Sequence, residues 1–309
     1  MASPATSDGY TETNVSLTFG SGTLGGTLAM PRGGKPFAAA LLLAGSGPTD
    51  RNGNSLAMGV QPNTLKLLAE GLSPVGIATL RADKRGVAAS RSALASEADI
   101  TVQTYVADAR AWAADLKRRT GFACVWLVGH SEGALIAELA AQDSSDICGM
   151  VLLSGSGRKL GHVMREQVDA TPGNPPEIKK VVSNILESLE AGNIVANVPP
   201  VLQPLFRPSV QPYLISELAL DPAAILSQMK IPALILQGDN DIQTSVADAQ
   251  LLAAARRDAT LKIFAGVNHV LKIAPLDRAA NIAAYADPDL PLAPGIVDAV
   301  SAFIQAHRP

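Results

Sequence analysis

Cys124-Val125-Trp126-Leu127-Val128-Gly129-His130-Ser131-Glu132-Gly133-Ala134-Leu135-Ile136-Ala137-Glu138-Leu139-Ala140-Ala141 is the stretch that decides the architecture. The apolar run Cys124 to Val128 predicts a strand buried on both faces, and Ala134 to Ala141 predicts a helix. Between them lies a turn built around Ser131, flanked at two residues' distance by Gly129 and Gly133. A serine at a tight strand-to-helix turn is pushed out above the sheet, and only small residues at the flanking positions let the backbone make that turn. The helix that follows brings backbone N–H groups and the positive end of its dipole to where negative charge develops when a serine attacks a carbonyl.

Outward from this unit, similar short apolar runs recur at Ala38 to Ala44, Ile77 to Leu80, Met150 to Leu153, Ala233 to Gln237 and Leu261 to Phe264. Helices are expected between them: Thr64 to Leu72 with Asn63 as N-cap, Val102 to Arg119 with basic residues in its last turn, and Ser245 to Arg256 behind a capping serine. Nearer the start, Val15, Leu17 and Phe19 alternate with polar residues. Gly20 to Gly22 then turns the chain into a run containing Leu24 and Leu28, the pattern of an antiparallel hairpin. The alternation of strand and helix predicts an α/β architecture, a mostly parallel central sheet flanked by helices.

One segment breaks the rhythm. Between Ser156 and Met229 there is no strand pattern; Pro172, Pro175, Pro176, Pro199, Pro200, Pro204, Pro208 and Pro212 punctuate it. Ile178, Val181, Val182, Ile185, Leu186 and Leu189 recur there at helical spacing. More than 70 residues is long for one crossover. The expectation is a helical cap over residues 156–229, inserted in a core domain of residues 1–155 and 230–309; a long crossover packed on the sheet is the plainer alternative.

With Gly129-His130-Ser131-Glu132-Gly133 in this setting, the chain resembles an α/β-hydrolase. The resemblance implies that fold and a catalytic triad in the order serine, acid, histidine, with Ser131 as nucleophile. Strand Ala233 to Gln237 ends in Gly238-Asp239-Asn240-Asp241, similar to the family's Gly-x-x-Asp turn, which puts the acid at Asp241. Asp239 is the alternative, with an ordinary role as a turn residue, and Asp248 is expected on a solvated helix face. Strand Leu261 to Phe264 leads into Ala265-Gly266-Val267-Asn268-His269, which resembles the Gly-x-x-His loop after the last strand. Of the four histidines, His130 is expected to point away from the serine, His162 lies in the cap and His307 sits near the terminus, so His269 is the expected base.

Two N–H groups are needed to hold a tetrahedral oxyanion. One is expected from Glu132, the residue after the nucleophile, and the other from the loop after the third strand, at Ser46 with Gly47 as alternative. Ala44 stands where related hydrolases carry a histidine. Gly45-Ser46-Gly47-Pro48-Thr49-Asp50-Arg51-Asn52-Gly53-Asn54 is similar to the loop of a bacterial esterase and serine-aminopeptidase-like subgroup, as are Asp83-Lys84-Arg85-Gly86 and Tyr285-Ala286-Asp287-Pro288. Asp50, Arg51, Asp83 and Arg85 are read as a buried ion-pair network holding this loop, with substrate contact as the alternative.

Other chemistries fail on the residues. Gly45-Ser46-Gly47 begins like a dinucleotide fingerprint, but Asp50 occupies the third glycine position and Pro48 intervenes. Asp50 to Asn54 has no glutamate at the closing position of a calcium loop, and no Cys or His cluster has metal-ligand spacing. No metal and no cofactor are expected. A net charge of −3 gives no electrostatic footprint for nucleic acid, and 4% aromatics leave little for base stacking. No apolar run is long enough to span a membrane.

The first ten residues, MASPATSDGY, lack the pattern of a signal peptide. The compartment stays open between the cytoplasm and, if such a peptide has been removed, the periplasm or exterior; a homo-oligomer is left open too. Cys124 and Cys148, each in an apolar run, read as small buried hydrophobes, with a disulfide as the alternative if those runs are strands.

The function expected is a serine hydrolase cleaving small-molecule carboxylic esters of short to medium acyl chains through an acyl-enzyme. Leu160, Val163, Met164, Ile194, Val198, Leu205 and Phe206 are the candidates for lining the acyl pocket. A peptidase, amidase or thioesterase with the same triad is the alternative, and a peptidase would need a charged anchor for a substrate amine, for which Glu166, Glu177, Glu187 and Glu190 are candidates. A non-catalytic ligand-binding protein on the same scaffold is the reading from another class.

Overall fold

In the computed structural model residues 6–7, 9–20 and 22–308 are described. Residues 1–5, which enter the targeting expectation, and Ser21 of the hairpin turn lie outside them. Strands β1 (Thr6–Ser7), β2 (Tyr10–Phe19), β3 (Gly22–Pro31), β4 (Ala38–Leu43), β5 (Ile77–Ala82), β6 (Val125–His130), β7 (Ile147–Leu153), β8 (Ala233–Gly238) and β9 (Thr260–Phe264) form one sheet. Its order is β1-β2-β3-β5-β4-β6-β7-β8-β9. The pairs from β1 to β3 and β3 with β5 are antiparallel, and every pair from β5 through β9 is parallel. The expected hairpin is β2–β3, with Phe19 opposite Gly22.

The continuous apolar runs are explained by burial on both faces. On one face Ala39, Leu41, Leu127, Met150, Leu152 and Ile235 pack with α2 (Val102–Thr120), α3 (Glu132–Ala141) and α9 (Val246–Ala255). Their strand neighbours Ala40, Leu42, Trp126, Val128, Val151, Leu153 and Leu234 pack on the other face with α1 (Thr64–Leu72) and α11 (Ile296–Ala306). Successive residues therefore alternate between two cores, as a sheet between helical layers requires. β9, at the edge, is only half-buried.

Between β7 and β8 the chain forms α4 (Leu160–Ala170), α5 (Pro176–Glu190), α6 (Gln203–Phe206), α7 (Gln211–Leu218) and α8 (Pro222–Ser227); α10 (Arg278–Ala283) lies later, before α11. Val182, Ile185, Leu186, Leu189, Val198, Leu202, Phe206, Leu214 and Leu218 make a separate small core within this helical segment. The segment is tied down by charge at two places. Arg158 binds Asp248 at the start of α9, with Nε and Nη2 each 2.8 Å from a carboxylate oxygen, and Arg207 pairs with Glu97, which also accepts from Ser209 Oγ at 2.5 Å.

Three local expectations are corrected. Cys124 and Cys148 form a disulfide, Cα–Cα 5.2 Å. The parallel pairing of β6 with β7 sets Val125 opposite Ile147, and a shift of register just after it leaves Cys148 out of the ladder beside Cys124. Asn63 has left-handed φ and no capping bond; its side chain and N–H are spent on Asn54 instead. Asp248 is not on a solvated face: its side chain is fully buried, closing a capping box with Ser245 and holding Arg158.

Candidate active site

Ser131 sits between β6 and α3 with φ 57° and ψ −122°, a conformation that side chains rarely adopt. The flanking glycines are dictated by contact. A Cβ on Gly129 would lie 2.0 Å from the carbonyl oxygen of Gly133, and one on Gly133 would lie 2.3 Å from that of Leu43. The turn is thus pressed on one side against its own helix and on the other against the end of β4.

The loop after β8 and the loop after β9 meet here. His269 Nδ1 is 2.8 Å from Asp241 Oδ2, and both side chains are buried, 4% and 0% exposed. Asp241 Oδ1 accepts from the N–H groups of Gln243 and Thr244 at 2.8 and 3.0 Å. Oδ2 also accepts from Gln237 Nε2 and Thr244 Oγ1, each at 3.0 Å. Burial opposes its charge, but His269 and these donors outweigh it and hold the carboxyl below the ordinary aspartate value. Asp239, the alternative acid, is exposed and accepts the Gly266 N–H at 2.6 Å, bracing the histidine loop.

His130 does more than the sequence suggests. Its Nε2 is 2.7 Å from the carbonyl oxygen of His269, and the two rings lie 5.0 Å apart. The residue beside Ser131 therefore fixes the backbone of His269. Burial first, and His269 second, lower the His130 pKa to about 4, so it stays neutral and donates this bond at ordinary pH.

The loop after β4 runs past the serine: a Cβ on Gly45 would stand 3.2 Å from Ser131 Cβ. Thr49 fastens the loop, its Oγ1 donating to Ser46 O at 2.8 Å and its N–H to Gly47 O at 2.8 Å. Among the described residues neither the Ser46 N–H nor the Glu132 N–H is spent on another acceptor. The expected ion-pair network divides in two. Arg51 and Asp83 pair at 2.6 Å and join the loop to the end of β5, whereas Arg85 forks onto Asp108 of α2. Among the described residues Asp50 pairs with no cation; it accepts the N–H groups of Asn52 and Asn54 as a turn residue.

A buried charge cluster adjoins this loop, unforeseen in the sequence. Lys84 Nζ lies 2.6 Å from Glu132 Oε1 and 2.7 Å from Gly45 O, above the Tyr105 ring at 4.6 Å. Glu217 of α7 is buried beside them, and burial, then the Glu132 charge, raise its pKa well above the usual carboxylate range. A lysine two residues beyond the end of β5, next in the sheet to β4, is the available signal.

Of the candidate lining residues, Val198 and Phe206 are buried in the core of the helical segment, Leu160 and Met164 pack against it, Val163 is buried in α4, and Ile194 and Leu205 are exposed. Among the described residues no cluster of three or more His, Cys, Asp or Glu could hold a metal ion, and no helix is long and apolar enough to cross a membrane.

The family model for alpha/beta hydrolases matches residues 40–285. Esterase EstD of Thermotoga maritima is 30% identical over 259 residues, which cover 80% of this chain and 58% of that protein; the chain thus spans under two thirds of the relative's length. In fold, the chain is similar to Est1E from Butyrivibrio proteoclasticus, with TM-score 0.59 and 16% identity over 95% of this chain and 98% of that one. A proline iminopeptidase-related protein from Thermus thermophilus gives TM-score 0.61 and 20% identity over 96% and 99%.

Proposed function

The chain belongs to the alpha/beta hydrolase family, and from that premise we propose that it is a serine hydrolase of small-molecule carboxylic esters, with Ser131 as nucleophile, His269 as base and Asp241 as orienting acid. The observation that carries this reading is the Asp241–His269 pair at 2.8 Å, whose histidine is tied through its carbonyl to His130, the neighbour of Ser131. The similarity to an esterase of Thermotoga maritima supports ester as the bond cleaved.

The chemistry runs as acyl transfer. Ser131 Oγ attacks the ester carbonyl carbon while its proton passes to His269 Nε2, and Asp241 fixes the tautomer and stabilises the imidazolium. The oxyanion is met by the N–H groups of Ser46 and Glu132. Collapse expels the alcohol, which takes the proton from His269, leaving an acyl-enzyme. Water repeats the sequence and frees the acid. Every proton is carried by the chain's own residues.

Residues 156–229 act as a cap on a core of residues 1–155 and 230–309, and an acyl group of short to medium length is the expected substrate. The separate core of this segment supports that division. An amine anchor for a peptide substrate is less well provided. Glu166 is engaged by Arg158 and Glu190 by Arg165, Glu187 accepts from Ser183 Oγ, and Glu177 is exposed.

The test is hydrolysis of p-nitrophenyl esters from acetate to decanoate by the wild type and by Ser131→Ala, with folding followed by circular dichroism. Turnover of short chains with a loss on the order of 10⁴-fold or more in the folded variant is expected. Cleavage of peptide anilides in preference to every ester would replace this reading by the peptidase one.

A further inference from the structure

Lys84 has no part in the triad, yet it joins the two segments that carry the expected oxyanion donors. Its side chain is 8% exposed and its Nζ faces Glu132 Oε1 at 2.6 Å, Gly45 O at 2.7 Å and Gly47 O at 3.5 Å. Gly45 O and the Ser46 N–H belong to one peptide unit. An ammonium on that oxygen draws electron density through the amide and makes the N–H a stronger donor, as hydrogen bonds polarise one another in series. It also fixes the plane of the peptide, because turning the N–H away would carry Gly45 O off the ammonium. The other contact reaches Glu132, whose own N–H is the second donor, at the first turn of α3.

We propose that Lys84 is a positioning residue for the oxyanion site: it holds and polarises the Gly45–Ser46 peptide and, through Glu132, locks that peptide in register with the start of α3. The inference rests on the hydrolase reading above. The surroundings favour a permanent charge at this position. Burial works against the ammonium, but the Glu132 carboxylate beside it prevails and holds the Lys84 pKa above the ordinary lysine value. Glu217 and Tyr105 are the other titratable groups acting on Lys84, and the ring of Tyr105 faces it while Tyr213 of α7 stacks edge-on against Tyr105 at 5.6 Å. Thr49 holds the following carbonyl, Ser46 O, so the loop is gripped on both sides of the donor.

A lysine that merely anchors a loop would produce some of the same losses, so the test separates binding of the tetrahedral state from folding and from substrate binding. The variants are Lys84→Met, which keeps the stem and removes the charge, and the double variant Lys84→Met with Glu132→Gln, which leaves no unpaired charge buried. For each, kcat and KM on p-nitrophenyl butyrate are measured beside the affinity for an alkyl trifluoromethyl ketone, whose hemiketal adduct on the serine is read by fluorine NMR. Loss of one oxyanion donor costs on the order of 10²-fold in kcat. Both variants are expected to lose about that much, with KM within about threefold of wild type and ketone affinity falling by the same factor as kcat/KM.

Three outcomes overturn the proposal: wild-type kcat in Lys84→Met, recovery of kcat in the double variant, or loss of kcat with ketone affinity intact. A wild type that neither turns over an ester nor forms the adduct refutes the hydrolase reading itself. An active wild type with unaffected variants refutes only the role of Lys84.

Discussion

Acid should unfold this protein partly through a single histidine, and the size of the effect follows from its burial. His130 is 8% exposed, bonds the His269 carbonyl, and has its pKa lowered from 6.5 to about 4, by burial first and by His269 second. Its folded pKa is depressed, so the unfolded chain takes up the proton more readily. The stability it contributes is complete above pH 6.5 and is lost as pH falls toward 4. Two and a half pH units at 1.36 kcal/mol each set a ceiling of about 3 kcal/mol, and by pH 4.5 about 2.5 kcal/mol should be gone.

Other carboxylates titrate in the same window, so the assay is differential: urea unfolding at pH 7.5 and 4.5 for wild type and His130→Asn. Asparagine can still donate a bond but cannot titrate. The wild type is expected to lose about 2 kcal/mol more between the two pH values than the variant. Equal losses, within about 0.5 kcal/mol, would refute the assignment of a neutral buried imidazole at His130.

Gly133→Ala should be destabilised by about 3 kcal/mol or fail to accumulate as folded protein, because the new methyl group would meet the backbone oxygens of Leu43 at 2.3 Å and Ala44 at 2.8 Å; urea unfolding reads it. Asp241→Asn, which leaves the size of the side chain unchanged but presents the wrong group to His269 Nδ1, should fold normally and lose about 10⁴-fold in kcat for p-nitrophenyl butyrate. Replacing Cys124 and Cys148 together by alanine should cost about 3 kcal/mol of unfolding free energy, as expected for releasing a link across 24 positions of sequence. The same loss should follow reduction of the wild type by dithiothreitol.

The parts legible in the sequence are those where one residue type has one physical use. Gly129 and Gly133 admit no side chain, and the apolar runs between them and Leu236 alternate between two cores, so the sheet and the serine turn could be read directly. Asp241 and His269 are legible because each closes a short turn at a strand end, and the structure brings them together.

What escaped depended on contacts between distant segments. The disulfide needed the register shift between β6 and β7. Asp248 looked like a surface acid of α9 until Arg158, 90 positions away, arrived to neutralise it. Lys84 stood in a motif already singled out, but its use appears only when β5 and β4 lie side by side and bring it to Gly45 O. The sequence indicates only that His130 points away from Ser131, whereas its value lies in bonding the backbone of His269 across 139 positions.

The central claim is that Ser131 is the nucleophile of a hydrolase, and covalent capture tests it most directly. The protein is incubated with diethyl p-nitrophenyl phosphate and examined by intact mass and peptide mapping, beside Ser131→Ala and His269→Ala. The account predicts one diethylphosphoryl group per chain, on the peptide carrying Gly129-His130-Ser131-Glu132-Gly133, absent from Ser131→Ala and formed far more slowly in His269→Ala. Label on a different serine, or none on the folded wild type, would contradict it.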